Sequence, residues 1–491
     1  MKIIPACLLA FSLCAAAQAQ PLSLHPENPH YFQFRGKPTI ILTSGEHYGA
    51  VLNLDFDYRK YLQALAADGL NNTRVFTGSY VEPQGAFNIA RNTLAPEKDK
   101  FIAPWARSST PGYPNGGNKF DLSKWDEKYF ARLKDFMAEA DKNGVIVEMN
   151  LFCPFYEEPQ WQLSPQNAAN NINNVGNVPR TNVYTLDKHG GLLAIHEAMT
   201  RKIVTELNQF DNLYYEICNE PYFGGVTLAW QHHIAQVIAD TEKKLPRKHL
   251  ISRNVANGSA NIDQTHPAVQ VYNFHYAFPP DAIAQNHSLN KPIGDNETGF
   301  KGTNDTHYRM EAWAFITAGG ALYNNLDYSF VPGHEDGTFV YPSSQPGGGN
   351  PAFRKHLAML REFIYGFDFI HMKPMRHDDV IKDVSSTGVG NSGANRSPRI
   401  YVLAKEAAEY AIYFTPIQET RNENGKKRET FLTGKRSINV ELAIPGETYA
   451  VQWWDPVSGK KHEREPVISN GRLKLRSPEF TEDIALSIRK P

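Results

Sequence analysis

Two glutamates have the residue type and the placement that cleavage of a polar bond requires. Glu220 closely follows a short apolar and aromatic run, residues 213–218, and precedes Pro221, which cannot continue a sheet because it lacks a backbone N–H. Glu297 ends a second such run, residues 292–297. Parallel α/β proteins place their reactive groups at the carboxyl ends of strands. Two carboxyl groups at that edge suit the cleavage of a glycosidic bond, one as proton donor and the other as nucleophile.

Each glutamate taken alone is weak support for this chemistry. An Asn-Glu-Pro triplet, here residues 219–221, occurs by chance in roughly one chain of this length in twenty. A single Glu at a strand end is usually a solvated loop residue. The prediction therefore depends on whether the rest of the chain builds a scaffold that brings the two carboxyl groups together.

Eight strand signals, several of them short apolar runs, alternate with helical patterns along most of the chain. The predicted strands are residues 38–43, 72–76, 145–149, 213–218, 249–252, 269–275, 292–297 and 321–326. The predicted helices are residues 55–68, 123–140, 191–208, 228–244, 307–318 and 353–365, the second of them capped by Ser123. This alternation predicts a (β/α)8 TIM barrel over residues 20–372.

An open doubly wound sheet is the alternative fold, because the fifth and sixth connections between strands are short and weakly helical. No Gly-x-Gly-x-x-Gly turn follows the first strand, which weakens the dinucleotide-binding version of that alternative. Long loops follow the second and third predicted strands, over residues 78–120 and 152–190. Loops of that length are more often functional than idle, and here they would shape the cleft above the two glutamates.

The sequence after residue 373 has a different pattern. Short alternating runs, separated by turn signals such as Pro445-Gly446, predict an antiparallel β-sandwich over residues 373–491. This domain would either bind glycan or brace the barrel, and we favour bracing because no exposed aromatic strip is evident in its sequence.

Composition narrows the classes of partner. The 491 residues exceed one ordinary domain, in line with a large domain plus a smaller one. Lys and Arg total 51 against 52 for Asp and Glu, and this balance argues against nucleic acid as a partner. Aromatic residues make up 12% of the chain, which suits sugar binding and equally suits a large core.

The first 19 residues have the pattern of a secretory signal peptide. Lys2 supplies the positive start, residues 3–13 the apolar stretch and residues 17–19 the small-x-small cleavage site. We therefore expect an exported protein, periplasmic or extracellular, with no membrane association after cleavage. Cys153 and Cys218 would remain in the mature chain, and their places near the ends of neighbouring predicted strands allow a disulfide, although sequence cannot give the distance that it needs.

The chain resembles the clan A retaining glycoside hydrolases, in particular the cellulase-like groups (family 5-like or DUF4038-like). The resemblance covers about residues 35–366 and is carried by Asn219-Glu220-Pro221 at the fourth strand and by residues 295–299, Asp-Asn-Glu-Thr-Gly, at the seventh. Residues 454–459, Trp-Asp-Pro-Val-Ser-Gly, look like part of the small β-domain found behind some bacterial barrels of these groups. The resemblance implies that Glu220 is the acid/base and Glu297 the nucleophile.

The resemblance extends to Asn219, to Arg74 on the second strand and to His275 or Tyr276 on the sixth, whereas Glu46, His47 and Trp161 are candidates because of their positions and side-chain types. Substrate-binding candidates are Asn219, Arg74, His275, Tyr276, Glu46, His47, Trp161 and Asn324. Asn324 belongs to a Tyr-Asn-Asn segment on the eighth strand, where many cellulase relatives carry Trp, and this departure leaves the sugar open. We favour a functional role for Arg74 over a structural salt bridge because of its strand position, His275 could equally be a core histidine, and Trp161 suits ordinary packing better than sugar binding. The chemistry needs no cofactor, and no metal-ligand cluster is evident.

We therefore expect an exported retaining glycoside hydrolase that acts on a polysaccharide or oligosaccharide. A carbohydrate-binding protein on an inactive barrel and a transglycosylase that uses the same covalent intermediate are the alternatives. Loops that wall off one end of the cleft would favour action at chain ends, whereas an open groove would favour internal cleavage. The sequence gives no oligomeric state.

Overall fold

A computed structural model describes residues 20–388, 398–421, 427–432 and 434–491. The predicted signal peptide, residues 1–19, lies outside the described residues. Eight parallel strands form one sheet in the order β1-β8-β7-β6-β5-β4-β3-β2. Their bounds are β1 Ile41–Gly45, β2 Asn72–Phe76, β3 Ile146–Phe152, β4 Leu213–Cys218, β5 Leu250–Asn257, β6 Val271–His275, β7 Ile293–Thr298 and β8 Leu322–Leu326.

The sheet closes between its first two strands. The backbone N–H of Asn71 donates to Leu42 O at 3.2 Å, and Thr43 Oγ1 donates to Asn72 O at 2.6 Å. A closed sheet has no free edge, and its strands are buried on both faces, which explains their continuous apolar sequences. The barrel prediction is confirmed, and the open doubly wound alternative is wrong.

Helices surround the barrel. They are α1 Tyr58–Ala67, α2 Glu127–Lys142, α3 Leu192–Leu207, α4 Leu228–Glu242, α5 Asp281–Asn286, α6 Asp305–Thr317 and α7 Pro351–Tyr365. Shorter helical segments are Ala86–Asn88, Glu158–Leu163, Arg180–Asn182, His287–Leu289, Phe369–His371 and His377–Val380. Within the described chain no helix joins β5 to β6, and α5 is short, as the weak helical signal there predicted. None of the described helices has the length and apolar character that a membrane crossing requires.

The start of α2 differs from the sequence prediction. Asp126, not Ser123, caps this helix, and its side chain accepts hydrogen bonds from the backbone N–H groups of Lys128 and Tyr129. Ser123 instead lies in the strand Asn118–Trp125. That strand pairs with Trp105–Pro111 in a hairpin within the loop that follows β2. A hydrogen bond to a carboxylate is the better cap for the first turn because it also meets the positive end of the helix dipole.

A small sheet that the sequence did not predict covers the amino end of the barrel. Its antiparallel strands are Ser23–Leu24, Phe32–Phe34 and Lys37–Thr39. The backbone N–H of Leu22 donates to Asp211 O, just before β4, at 2.9 Å. The carboxyl end of the barrel is thus the end left for a binding site.

The C-terminal part of the chain is built from antiparallel sheets, as predicted. One sheet contains Lys373–Met375, Ile400–Lys405, Glu409–Phe414, Ile484–Arg489, Thr448–Asp455, Lys460–Lys461 and Glu465–Ile468. The other contains Ile381–Gly388, Arg436–Leu442 and Leu473–Arg476, and a separate hairpin pairs Ile417–Arg421 with Lys427–Phe431. Buried residues of both sheets, among them Ile412, Leu486 and Val440, form one apolar core between them.

The β-domain packs firmly against α6 and α7. Arg309 of α6 donates from Nε to both carboxylate oxygens of Asp483, each at 3.1 Å, and Tyr413 Oη donates to the same carboxylate at 2.6 Å. The rings of Trp313 and Tyr413 stack with centroids 5.5 Å apart. Trp454 meets the barrel in the same apolar cluster. These buried contacts favour a bracing role for the domain.

Candidate active site

A cavity of about 470 Å³ opens at the carboxyl end of the barrel. The loops after most of the strands contribute to its wall, as expected for a (β/α)8 enzyme. It is lined by His47, Tyr48, Phe76, Tyr80, Glu82, Phe87, Leu94, Cys153, Tyr156, Asn219, Glu220, Phe223, Asn257, Tyr276, Glu297, Gly299, Phe300 and Lys301. Both strand-end glutamates are in this set, so the fold brings together the two groups that the sequence singled out.

Glu297 of β7 is held by three donors on both of its carboxylate oxygens. Tyr48 Oη donates to Oε2 at 3.0 Å, and Arg74 Nη1 donates to the same oxygen at 3.2 Å. Tyr276 Oη donates to Oε1 at 2.8 Å. A guanidinium and two hydroxyl donors are the partners that an ionised carboxylate takes, and they fix its direction into the cavity.

Glu220 lies two residues beyond β4 and has partners of a different kind. Tyr156 Oη donates to its Oε2 at 2.6 Å, and Tyr222 Oη donates to Oε1 at 3.2 Å. Burial raises the pKa of this carboxyl group, but the hydrogen bond and charge of His275 and the two tyrosine donors lower the pKa by more. In this structure the pKa of Glu220 is thus below its usual value, whereas a proton donor is expected to have a raised pKa.

His275 at the end of β6 lies between the two carboxylates. Its Nδ1 is 3.3 Å from Glu220 Oε1 and 3.5 Å from Glu297 Oε1, and one oxygen of each carboxylate lies within 4.8 Å of the other. Carboxyl groups about 5–5.5 Å apart are typical of retaining glycosidases, whereas inverting enzymes need a wider gap for water. The imidazole of His275 and the two carboxylates could also bind a divalent metal ion, but Arg74 already supplies a positive charge to Glu297.

Arg74 of β2 links Glu297 to the polar interior of the barrel. The guanidinium forms ion pairs with Glu297 and Glu216, its Nε lies 3.3 Å from Glu148 Oε1, and Nη2 donates to Asn219 Oδ1 at 2.8 Å. Asn219 in turn donates from Nδ2 to the Tyr156 hydroxyl at 2.8 Å. One buried cation therefore orients both the amide that precedes Glu220 and the carboxylate of Glu297.

Glu148 and Glu216 form a second acidic pair beneath the cavity, which the sequence prediction missed. Burial and the neighbouring charge of Glu216 raise the pKa of Glu148 well above its usual value. Burial also raises the pKa of Glu216, but the charge of Arg74 and hydrogen bonds from Glu148 and Asn273 lower it by more. Glu148 is thus the neutral member of the pair and Glu216 the ionised one. A charged residue inside an otherwise apolar strand was the available sequence signal.

Three residues that form the site have left-handed backbone conformations. The φ angles are +61° at Tyr48, +34° at Glu220 and +53° at Tyr276. Each residue lies within three positions of the end of a barrel strand, at the turn that aims its side chain into the cavity. A left-handed conformation at a residue other than glycine costs roughly 1–3 kcal/mol and persists only where surrounding contacts enforce it.

Glu46 does not line the cavity, although it was predicted to bind substrate. Its carboxylate accepts hydrogen bonds from the backbone N–H groups of Gly49 and Ala50 at 2.9 and 3.0 Å, and from Thr93 Oγ1 at 2.6 Å. Burial raises its pKa to about 7. Glu46 shapes the loop after β1, and its neighbour His47 is the residue that reaches the cavity.

Trp161 and Asn324 also lie away from the cavity. Trp161 is buried in the loop after β3, where it packs on Phe155 and donates to Val178 O at 3.1 Å. Asn324 of β8 is inside the barrel and donates from Nδ2 to Asn296 O at 2.9 Å. Neither is placed to contact a sugar. Of the other predicted residues, Arg74 and His275 act from beneath the lining, and Asn219, His47 and Tyr276 belong to it.

Several site residues were not predicted because they lie on irregular loops. Tyr156, Tyr222 and Tyr48 each donate to a candidate glutamate, and Phe87 and Phe300 form part of the rim. A weak signal existed, since Tyr222 and Tyr48 directly follow segments that the sequence had marked as strand ends.

Cys153 and Cys218 are free thiols in the structure. Cys153 lines the cavity, and its Sγ lies 3.6 Å from Asn219 Nδ2. The disulfide that the sequence allowed between Cys153 and Cys218 is therefore not formed here.

A carboxylate pair at this spacing, in an aromatic-lined cleft at the carboxyl end of a (β/α)8 barrel, defines a class of carbohydrate-cleaving enzymes. Residues 56–320 match the model of the family Cellulase (glycosyl hydrolase family 5). The chain belongs to glycosyl hydrolase family 5. It is a glycosidase, and retention of anomeric configuration is general in that family.

Solved structures with the same fold include the β-domain. A glycoside hydrolase superposes with a TM-score of 0.60 and 13% identity, over 96% of this chain and 97% of its own. A family 5 glycoside hydrolase from Bacteroides vulgatus ATCC 8482 superposes with a TM-score of 0.60 and 12% identity, over 96% of this chain and 94% of its own. No curated protein matches the sequence. These similarities confirm the barrel followed by an antiparallel β-domain.

Proposed function

We propose that Glu297 is the nucleophile and Glu220 the acid/base of a retaining hydrolysis of a polysaccharide or oligosaccharide. The observation that carries the proposal is the close approach of two carboxylates with unlike partners. Glu297 faces a guanidinium, which suits a group that must attack as an anion. Glu220 faces hydroxyl groups and an imidazole, which suits a group that exchanges a proton.

The first step forms a covalent glycosyl-enzyme. A carboxylate oxygen of Glu297 attacks the anomeric carbon, the bond from that carbon to the leaving oxygen breaks, and Glu220 transfers its proton to the leaving oxygen. Arg74 orients the Asn219 amide through its oxygen, and Nδ2, which donates to Tyr156 Oη and Cys153 Sγ in the structure, exchanges one of these partners for the 2-hydroxyl of the sugar when substrate binds. That hydrogen bond strengthens in the transition state.

The second step releases the sugar. Glu220, now ionised, takes a proton from water, the water oxygen attacks the anomeric carbon, and the bond to Glu297 breaks. The charge on Glu297 is absent while the ester exists, and repulsion between the two carboxylates is therefore also absent. This makes Glu220 more acidic in the intermediate, which suits its change from acid to base.

The lowered pKa of Glu220 has a direct consequence for the pH dependence. Because the first step needs a protonated Glu220, activity is lost as pH rises through the pKa of this group. The donors His275, Tyr156 and Tyr222 all stabilise the ionised form, so they shift this loss to lower pH. We therefore expect an acidic pH optimum.

Replacing Glu297 with Gln tests the assignment. Glu297→Gln keeps the shape of the side chain but removes the attacking anion, and we expect turnover to fall roughly 10⁴-fold or more. The matched control is Glu158→Gln, whose carboxylate is 59% exposed in the loop after β3. Wild type and both variants are incubated with a broad glycan panel, and the products are measured by mass. Full activity in a folded Glu297→Gln protein would exclude this residue as the nucleophile.

A further inference from the structure

The two ends of the cavity have different chemical environments, which the proposed mechanism assigns to the two sides of the scissile bond. The leaving group must lie beside the proton donor Glu220, towards Phe223 and Asn257. The sugar whose anomeric carbon is attacked must lie over Glu297 and extend away from Glu220. That direction leads to the loops after β1 and β2, where His47 and Glu82 line the cavity.

The far end is walled by the loop after β2, which is bonded to the loop after β8. Asn88 Nδ2 donates to Ser344 O at 2.7 Å, and the backbone N–H of Ala90 donates to the side-chain oxygen of Gln345 at 2.9 Å. Gln345 is itself buried. Hydrogen bonds at the outer edge of the cavity therefore join the loop after β2 to the loop after β8.

The same loop is also packed on the segment after β1. Thr93 Oγ1 donates to His47 O at 2.9 Å, and Asn53 Nδ2 donates to Thr93 O at 3.1 Å. A Cβ added to Gly49 would lie 2.2 Å from Thr93 O, so the two backbones are already in contact. No channel can pass between these segments, and a sugar chain cannot continue beyond this end.

A buried histidine and a buried carboxylate, which also accepts a hydrogen bond from Asn92 Nδ2, occupy the closed end. His47 is 7% exposed, and neither of its ring nitrogens makes a hydrogen bond in the structure. Its Nε2 lies 3.4 Å from a carboxylate oxygen of Glu82, which is 4% exposed and accepts a hydrogen bond from Tyr80 Oη at 3.0 Å. Buried polar atoms without partners are costly unless a ligand or water completes them.

The opposite end of the cavity is open and aromatic. Phe223, beside Glu220, is 43% exposed, whereas Phe87 and Phe300, 38% and 41% exposed, lie nearer the joined loops and continue the aromatic rim to them. Flat aromatic faces exposed at a cleft mouth are suited to the apolar faces of sugar rings. The leaving group therefore has room to be a long chain, whereas the sugar over Glu297 does not.

We propose, on the basis of the proposed function, that this enzyme acts at chain ends and removes one neutral sugar at a time from the non-reducing end. The sugar enclosed over Glu297 carries no further residue, so it is the non-reducing terminus of the chain. His47 and Glu82 bind its hydroxyl groups remote from the scissile bond. Glu82, buried at the enclosed end, repels the carboxylate of a uronic acid.

The product pattern tests the proposal directly. Oligosaccharides of neutral sugars labelled at the reducing end are digested, and the products are followed by mass from the earliest times. We expect a free monosaccharide and a labelled chain shortened by one residue, with successive single losses later. Matched oligosaccharides that carry a uronic acid or a bulky substituent at the non-reducing terminus are expected to resist cleavage.

Each outcome of this assay is decisive. Labelled products from internal cleavage at early times would overturn the chain-end proposal and leave the proposed function intact. Cleavage of chains blocked at the non-reducing end would also overturn the chain-end proposal and leave the proposed function intact. A folded wild-type enzyme that hydrolyses none of the glycans would count against the proposed function itself, and the chain-end proposal would fall with it.

Two variants test the closed end. Glu82→Gln keeps the shape of the side chain but removes its charge. We expect kcat/KM for aryl glycosides of single sugars to fall about 10- to 100-fold, because hydrogen bonds to the sugar are lost. Glu97→Gln, on the exposed part of the same loop, is the control and should match wild type. His47→Gln removes only the 3.4 Å contact of Nε2 with the Glu82 carboxylate, so it serves if Glu82→Gln fails to fold. Wild-type kinetics in folded Glu82→Gln and His47→Gln would exclude these residues as sugar ligands.

Discussion

Removal of one hydroxyl group from Tyr156 is expected to move the alkaline limb of the pH profile to higher pH. Tyr156 Oη donates to Glu220 Oε2 at 2.6 Å, and a hydrogen bond to a charged group contributes about 1.5–3 kcal/mol. About 1.36 kcal/mol corresponds to one pH unit in a pKa. The change Tyr156→Phe should therefore raise the pKa of Glu220 by about one to two pH units. Glu220 then keeps its proton to higher pH, and kcat/KM declines later.

A second variant provides an internal scale for this effect. Tyr222 donates to Glu220 Oε1 at the longer distance of 3.2 Å, and the same hydroxyl also reaches Asn257. We therefore expect Tyr222→Phe to shift the alkaline limb in the same direction by a smaller amount. Tyr410→Phe, in the β-domain, is the control and should leave the profile unchanged, because the Tyr410 hydroxyl bonds to the backbone of Ala407 far from the cavity.

The assay is kcat/KM across pH, because this ratio reports the ionisation of the free enzyme. The two carboxyl groups titrate as an interacting pair, so the profile gives apparent pKa values of the pair. A ¹³C NMR titration of Glu220 in the Glu297→Gln background removes that coupling. An alkaline limb that stays in place or moves to lower pH in folded Tyr156→Phe would refute the reasoning, as would a larger shift in Tyr222→Phe.

Two further predictions concern stability, measured as the free energy of unfolding in denaturant. Because Glu148 is the neutral member of the buried pair, Glu148→Gln should change this free energy by less than about 1 kcal/mol, whereas Glu216→Gln removes the main counter-charge of Arg74 and should lower it by about 3–5 kcal/mol. Equal losses in both variants would contradict the assignment of the proton. Arg309→Met leaves Asp483 buried without its cation and should also cost about 3–5 kcal/mol, whereas Lys461→Met at an exposed ion pair of the same interface should cost less than about 1 kcal/mol. An unchanged midpoint in Arg309→Met would show that the β-domain does not stabilise the barrel.

The barrel was predictable because its strands are buried on both faces. That burial produces predominantly apolar runs, such as residues 145–149 and 213–218, which differ sharply from the helical patterns between them. The small sheet at the amino end was not predicted, since its strands are two or three residues long. The cap of α2 was misplaced because Ser123 and Asp126 are both good capping residues, and only the hairpin before the helix decides between them.

The catalytic pair was predictable for a different reason, since a strand end fixes where a side chain points. Glu220 and Glu297 are therefore brought together by topology alone. Residues on loops have no such constraint, which is why Tyr156 was not predicted and Trp161 was placed wrongly. Asn324 shows a third limit, because a strand residue that faces the barrel interior can lie below the cavity rather than in it.

The left-handed backbone conformations at Tyr48, Glu220 and Tyr276 lower the stability of the fold and are needed to build the site. Each of these positions would be relieved by glycine, which adopts positive φ without steric cost, and each glycine would also delete a side chain of the site. Selection for resistance to heat alone would therefore favour substitutions that destroy the cavity. Directed evolution of a more thermostable enzyme would have to measure turnover in every round. Its stabilising substitutions would have to lie outside the site, for instance in the β-domain or the helices that surround the barrel.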